Sequence, residues 1–297
     1  MAGVKIMGND FLSPRSDLIF KLLFGDERNI ELLTDFLKSV LRLPADDYDE
    51  VTIVDPHLLP EYKGDKLGVL DVKVRTRSKK IIDVEIQVMP TPELRERVVY
   101  YSAKMVTEQV KTGDDYISIK RVISIIITNF IFVSENNVYH NRYTLRDPDT
   151  GSEFTDLIEV NTLELTKLPQ TEDGTELWRW MKFLSAQNKE ELDMIAEKSP
   201  QVKKAVVRLM ELSNDERTRL LQESLQKKEW DNRARERGAR AEGIAEGVAK
   251  GKAEGKAEGI SESRLEIARS MLLRAMSPEL ISEITGLSVE EIKRLRD

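Results

Sequence analysis

The stretch LGVLDVKVRTRSKKIIDVEIQVM, residues 67–89, decides the fold. Apolar and polar residues alternate on both sides of a polar turn, TRSKK, which is the pattern of a β-hairpin. In the first strand Leu70, Val72 and Val74 share one face, and Val69, Asp71, Lys73 and Arg75 share the other. In the second, Ile82, Val84, Ile86 and Val88 oppose Asp83, Glu85 and Gln87. The apolar face is expected to pack against helices and the polar face to line something wet. Asp and Glu are poor strand formers, so three acids inside two strands need partners. A hairpin symmetric about Ser78 sets Lys73 opposite Asp83 and Asp71 opposite Glu85. The first pair has opposite charges. The second places like charges ~4.5–5.5 Å apart at Cβ, which destabilises a sheet. A hard cation such as Mg²⁺, held by oxygen ligands, turns that repulsion into attraction. A sheet with one solvated face also accommodates the acids, and alternation by itself does not choose between these readings.

Outward from the hairpin, the chain reads as mixed α and β. Residues 1–15 are an irregular lead-in. SDLIFKLLFG is a short helix with Ser16 as N-cap and Gly25 past its end. DERNIELLTDFLKSVLRL repeats apolar residues at helical spacing, and VTIVDP is a strand. After the hairpin, PTPELRERVVYYSAKMVTEQVK predicts a helix reaching Gly113. KRVISIIITNFIF is a buried strand, and NVYHNRYTLRD and FTDLIEVNTLELTKL are two more around the turn DPDTG. This order predicts an α/β or α+β domain over residues 1–168. From 169 to 235 only helical patterns recur. Trp178 and Trp180 in ELWRWMKFL read as packing residues rather than a ligand cage.

Residues 236–260 carry glycines four apart, Gly243, Gly247, Gly251, Gly255 and Gly259, among Ala, Glu and Lys. Each costs a helix roughly 1 kcal/mol relative to Ala, yet the stripe permits close approach of a second helix. A solvated helical spacer and a self-association helix both fit. Residues 261–297 outline a helix-turn-helix, with Ser277-Pro278 opening one helix, Gly286 ending it, and Ser288 with Glu291 forming a capping box for the last. That helix offers Lys293, Arg294 and Arg296 but also Glu290 and Glu291. DNA contact and plain packing are both open for it.

The bulk properties bound these readings. The 297 residues are 40% hydrophobic and 33% charged, enough for a sizeable core with charged helical surfaces. The net charge of −7 gives no general signal for nucleic acid, so any basic patch must be local. Cys is absent, which removes disulfides, thiolate zinc sites and cysteine nucleophiles and fits a reducing compartment. MAGVKIMGND has no apolar segment of a secretory signal, and a cytoplasmic location is expected. The two histidines, His57 and His140, sit in loop-like contexts and read as surface residues.

In order along the chain, SDLIFKLLFG, GVLDVKV, IIDVEIQ, RVVYYSAKM, GDDYISIKRVISIII and LELTKLP resemble the recombination-promoting nuclease and transposase-like family, a bacterial branch of the PD-(D/E)XK superfamily. WRWMKFL, the AEG repeats and TGLSVEEI extend the likeness to nearly the whole chain. The resemblance implies a restriction-endonuclease-like core, a mixed central sheet flanked by helices, followed by an all-α C-terminal region. It implies Mg²⁺- or Mn²⁺-dependent cleavage of DNA in recombination or transposition-like events. Asp71 and Glu85 match the superfamily's metal-binding acids, and the carbonyl of Ile86 is a further implied ligand. Gln87 stands where the superfamily usually has Lys. It can orient a water or a phosphate oxygen but brings no charge.

Asp17 and Lys21, one turn apart, are candidates to approach the metal or phosphate from the first helix, or else are a surface i,i+4 pair. Arg97, Tyr100 and Tyr101 match the family pattern and are candidates for DNA contact or for packing. Arg75, Arg77, Lys79, Lys80, Lys120 and Arg121 offer local positive charge. A homo-oligomer formed through the helical tail is expected. The alternative function is a weakly active or non-catalytic DNA- or protein-binding protein, with phage defence as a possible role.

Overall fold

A computed structural model of the chain describes residues 11–58 and 68–295. Most of the lead-in, Leu67 and Arg296 therefore lie outside the described residues. The chain divides into two compact units, Met1–Gln222 and Glu223–Asp297.

The first unit is built on a six-stranded mixed sheet. Its strands are β1 (Thr52–Val54), β4 (Val72–Arg75), β5 (Ile81–Gln87), β6 (Val122–Thr128), β8 (Glu153–Glu164) and β7 (His140–Arg146), in that spatial order. The strands β1, β4 and β5 pair antiparallel, β5, β6 and β8 run parallel, and β7 folds back antiparallel on β8. A separate short pair joins β2 (His57–Leu58) to β3 (Gly68–Val69). The sequence VISIIIT of β6 is buried throughout, as a parallel strand covered on both faces requires.

One face of the sheet carries Val72, Val74, Ile82, Val84, Ile86, Ile123, Ile125, Ile127 and Leu163. It packs on α1 (Asp17–Phe24), α2 (Ile30–Val40), α4 (Glu176–Ser185), α5 (Lys189–Ala196) and α6 (Pro200–Asn214), which share its core. The change at residue 168 is thus a change of secondary structure and not a gap in packing. Phe24, Phe36, Trp180 and Phe183 stack edge-on or tilted at 5.5–5.9 Å between ring centres. Trp180 is fully buried and donates its indole N–H to Asp35 at 2.9 Å, so it is a packing residue as its context suggests. Gly25 ends α1 where a Cβ would come within 2.8 Å of the Lys21 carbonyl.

The opposite face departs from expectation. It is not wet, because α3 (Leu94–Thr107) crosses it and buries Lys73, Asp83, Glu85 and Ser124. The cause is topological: β5 and β6 are parallel neighbours, and the crossover joining them must lie over one face of the sheet. The α3 helix also stops short of Gly113. The Gln109 side chain bonds the Met105 carbonyl and both backbone groups of Lys120, and this closes the loop into β6. His57 and His140 lie on strands rather than loops, with His140 half-buried and its ring 2.9 Å from Asn161.

The hairpin turn is pinned by the buried Asp47. It accepts from Lys80 Nζ at 2.6 Å, from the Ser78 amide at 3.2 Å and from the Thr76 hydroxyl at 3.4 Å, while Lys79 takes a left-handed conformation at φ 67°. Asp47→Asn is expected to cost about 2 kcal/mol, the scale of hydrogen bonds to a charged group. Urea denaturation checks this, and an unchanged midpoint would show that the turn holds itself.

The helix α7 (Glu216–Leu273) is continuous through the glycine repeat. Gly243, Gly247, Gly251, Gly255 and Gly259 have nothing near where a Cβ would stand. Ala268 of α7, Ile281 of α8 (Pro278–Thr285) and Ile292 of α9 (Val289–Arg294) form a small core. Gly286 is left-handed at φ 72°, and Ser288 with Glu291 makes the expected capping box. No described helix is long and apolar enough to cross a membrane.

Candidate active site

The β4–β5 ladder runs from Arg75↔Ile81 to Val72↔Val84 in the expected register, with Lys73 opposite Asp83. The ladder ends there. Asp71 is one residue past β4, not paired opposite Glu85. Its carboxylate instead accepts the Ile86 amide at 3.1 Å. Lys73 does not form the expected ion pair with Asp83. It turns to Glu108 at 3.3 Å, so α3 takes the charge that the hairpin alone would have used.

Four elements meet at this open end of the hairpin. Ser16 caps α1 by accepting the Ile19 amide at 3.3 Å, which fixes the first turn. One turn further on, Lys21 reaches Asp71 at 3.0 Å and, back in the first turn, Asp17 at 2.9 Å. The α3 helix brings Arg97 to 3.5 Å from Glu85. Gln87 follows Glu85 on the same face, about 7 Å along the strand. Its carbonyl accepts the Asn129 amide at 3.1 Å, and the Asn129 side chain accepts from Arg15 at 2.8 Å. Arg15 is thus a further cation at this end. No sequence signal marked it, since its partner lies 114 residues away.

The electrostatics follow from burial. Glu85 is pushed up to about 7 by desolvation and then by the Asp71 charge, with Arg97 offsetting in part. Burial likewise raises Asp71 against the pull of Lys21. Asp83 is raised well above the usual carboxylate range by burial, then by Glu85 and Asp71, and its Oδ1 has no hydrogen-bond partner among the described residues. The sequence treated Asp83 as a cross-strand partner. The structure makes it a buried acid whose neutral form is favoured. Burial opposes the charge of Lys21, but its bonds to Asp17 and Asp71 prevail and hold its pKa above the usual lysine range.

Two carboxylates held in a largely buried site, the charge of Asp71 raising the proton affinity of Glu85, are a donor set suited to a hard divalent cation. No group of three or more acids or histidines able to hold a metal occurs among the described residues. Any ion here would therefore complete its shell with backbone oxygen, water or substrate.

A raised acid destabilises the fold wherever it is ionised. Between the unfolded Glu value of 4.5 and about 7, the native state holds a proton that the unfolded chain has released. Stability without metal should therefore fall over that window as pH rises, by on the order of 3 kcal/mol if the whole shift is felt. Glu85→Gln should make this slope shallower, leaving the part due to Asp71 and Asp83, and raise the metal-free Tm at pH 8. Thermal unfolding against pH checks it, and equal slopes in both proteins would contradict it.

The remaining candidates lie elsewhere. Arg75 and Lys79 are at the turn end of the hairpin, with Arg75 about 13 Å of strand from Asp71. Arg77 pairs with Asp49, Lys80 with Asp47, and Arg121 with Asp156 and Glu159. Lys120 is exposed beside them. Tyr101 is half-buried against the cluster of Leu58, Leu70 and Ile81, and Tyr100 is exposed. Of the residues proposed for DNA, only Arg97 touches the carboxylate site.

Comparison with curated proteins and with solved structures found no match. Residues 14–239, well over half the chain, match the family described as PD-(D/E)XK nuclease family transposase. Residues 261–297 match the C-terminal HTH domain of the Rpn/YhgA-like nuclease family. The mixed sheet flanked by helices is consistent with the first match, and the small three-helix core closed by Gly286 with the second. The chain belongs to the PD-(D/E)XK nuclease family of transposases.

Proposed function

We propose that the protein is a divalent-metal-dependent DNA endonuclease acting in recombination or transposition-like events. The observation that supports this best is the meeting of Asp71, Glu85 and Lys21 at one end of the hairpin. Asp71 and Glu85, with the Ile86 carbonyl, would hold Mg²⁺ or Mn²⁺. When bound, such an ion lowers the pKa of a water and neutralises charge on the scissile phosphate.

The chain's own groups do the rest. Lys21, kept charged by Asp17 and Asp71, supplies the cation that Gln87 lacks at the usual lysine position. It binds a non-bridging phosphate oxygen or aligns the attacking water. Gln87 orients the same water by hydrogen bonds. Arg97 sets the rotamer of Glu85. Water adds to phosphorus, the bond to the leaving oxygen breaks, and that oxygen takes up a proton. Arg75 and Lys79, at the far end of the hairpin, and Tyr101, beside α3, are assigned to flanking DNA and not to the reacting phosphate. Purified protein should convert supercoiled plasmid to nicked circles in Mg²⁺ and not in EDTA. No conversion in Mg²⁺ or Mn²⁺ would overturn this reading.

A second reading concerns the tail. The exposed glycines of α7, with Ile244, Val248, Ile260 and Ile267 also exposed on it, support self-association through this helix. The HTH segment supports DNA binding outside the cleavage site. If deletion from Arg233 changes neither the light-scattering mass nor salt-dependent DNA binding, the tail does neither. A role in phage defence draws on the same chemistry as recombination.

A further inference from the structure

A second recess shares the sheet face of Glu85. It is a cavity of about 510 Å³ between α3, the segment after β6, and the strands β7 and β8. Its walls are mostly apolar, from Val98 and Val99 of α3, Phe132, and Tyr143 of β7. Arg95 lies over the Phe132 ring, 5.4 Å from its centre. On the floor, Thr162 is 2% exposed, and its hydroxyl lies within reach of the Tyr143 hydroxyl but makes no hydrogen bond of good geometry among the described residues. A buried polar atom without a partner is uncommon and costly. Here it borders a cavity large enough for a small ligand.

Strand register relates the recess to the carboxylate site. Glu85 is paired with Ile126, and Ile126 with Thr162, so the three stand in one row across β5, β6 and β8. Two strand spacings put about 10 Å between Glu85 and Thr162. Leu94 and Val98 cover Ile126 in the middle of the row. Arg97 thus serves one side of α3 while Arg95 and Val99 serve the other. The recess is also held in shape. The fully buried Glu164 accepts the amides of Phe132 at 2.8 Å and Val133 at 3.3 Å, and is itself paired with Lys167 at 3.0 Å.

We infer that this recess, on the side of α3 away from Glu85, takes an unstacked nucleobase of the bound DNA strand. The inference rests on the nuclease reading above. A flat aromatic wall backed by a guanidinium stacks on a base without regard to sequence. The Thr162 hydroxyl and the Glu135 carboxylate at the rim are polar groups for the base edge. A carboxylate suits an exocyclic amine, which favours cytosine or adenine over thymine. An aliphatic chain would leave the Thr162 hydroxyl and the Arg95 face unused.

The test uses the full chain in EDTA, so that nothing is cut, and reads fluorescence anisotropy. One probe is a short single-stranded DNA of mixed sequence, and the other is a fully abasic strand with the same number of phosphates. The wild type should bind the base-bearing strand about tenfold more tightly than the abasic one. Phe132→Leu keeps an apolar side chain but removes the stack, and should bring that preference to within about twofold while leaving abasic binding unchanged. Thr162→Val should hold or raise the Tm of the free protein and reduce the preference for cytosine- and adenine-rich strands.

Equal binding of both probes by the wild type overturns the inference. So does a preference that survives both substitutions, because the bases are then read elsewhere on the chain. If neither strand binds, the recess fails as a base site, and plasmid nicking in Mg²⁺ then decides separately whether the nuclease reading also fails.

Discussion

Asp71→Asn should reduce Mg²⁺-dependent nicking of plasmid by at least about 100-fold, since even outer partners of metal ligands are worth 10–100-fold. The substitution is nearly isosteric. Asn can still accept the Ile86 amide, and Lys21 keeps Asp17 as a partner. What disappears is one negative charge that raises the proton affinity of both Glu85 and Asp83. The variant should therefore fold at least as stably as the wild type without metal, and the proton affinity of Glu85 should fall in part, the share due to its burial remaining. Mg²⁺ should raise the Tm of the wild type and leave that of the variant unchanged. Loss of activity with an intact Tm places the defect in the site. Activity within about threefold of wild type would remove Asp71 from the reaction, because losing a direct ligand exceeds that range.

Lys21→Met should lower kcat by about 10²–10³, the range seen when one preorganised donor to developing charge is removed. Met keeps the aliphatic stem that lies along α1 and removes only the ammonium. The side chain is partly exposed, so little stability is at stake. Placing a lysine where the superfamily usually has one gives the sharper result. In the Lys21→Met background, Gln87→Lys should recover at least tenfold of the lost kcat, because about 7 Å of strand separates position 87 from Glu85 on the same face. Rescue would show that a cation supplied from α1 and one supplied from β5 are interchangeable. Full activity of Lys21→Met alone would show that Gln87 suffices and that the Lys21 pairs with Asp17 and Asp71 are structural.

Much of this was legible in the residues. The alternation over 67–89 specified the hairpin and its register, because a slip by one residue would carry Val72, Val74, Ile82 and Val84 out of the core. Ser16, Gly25, Gly286 and Ser288 marked helix ends because their chemistry acts within one turn. The ordered motifs led to the family, which residues 14–239 bear out. Long-range partners were not legible. The sequence paired Lys73 with Asp83, but Glu108, just past the end of α3, competes for the same ammonium from 35 positions away. Likewise Arg15 finds Asn129, and Trp180 finds Asp35, across 114 and 145 residues.

The sequence by itself determined the hairpin, the capped helix ends at Ser16, Gly25, Gly286 and Ser288, and the family, since these depend on periodicity and on contacts within a few residues. Only the tertiary structure decided that the acidic face is dry, that Asp71 leaves the ladder to cap Ile86, and that Lys21 meets it. The physical reason is the parallel crossover. It lays α3 over the acids, removes their water, and turns ordinary carboxylates into a mutually repelling, proton-binding group. Their remaining partners, Lys21 and Arg97, come from helices brought in by the packing of the sheet's two faces.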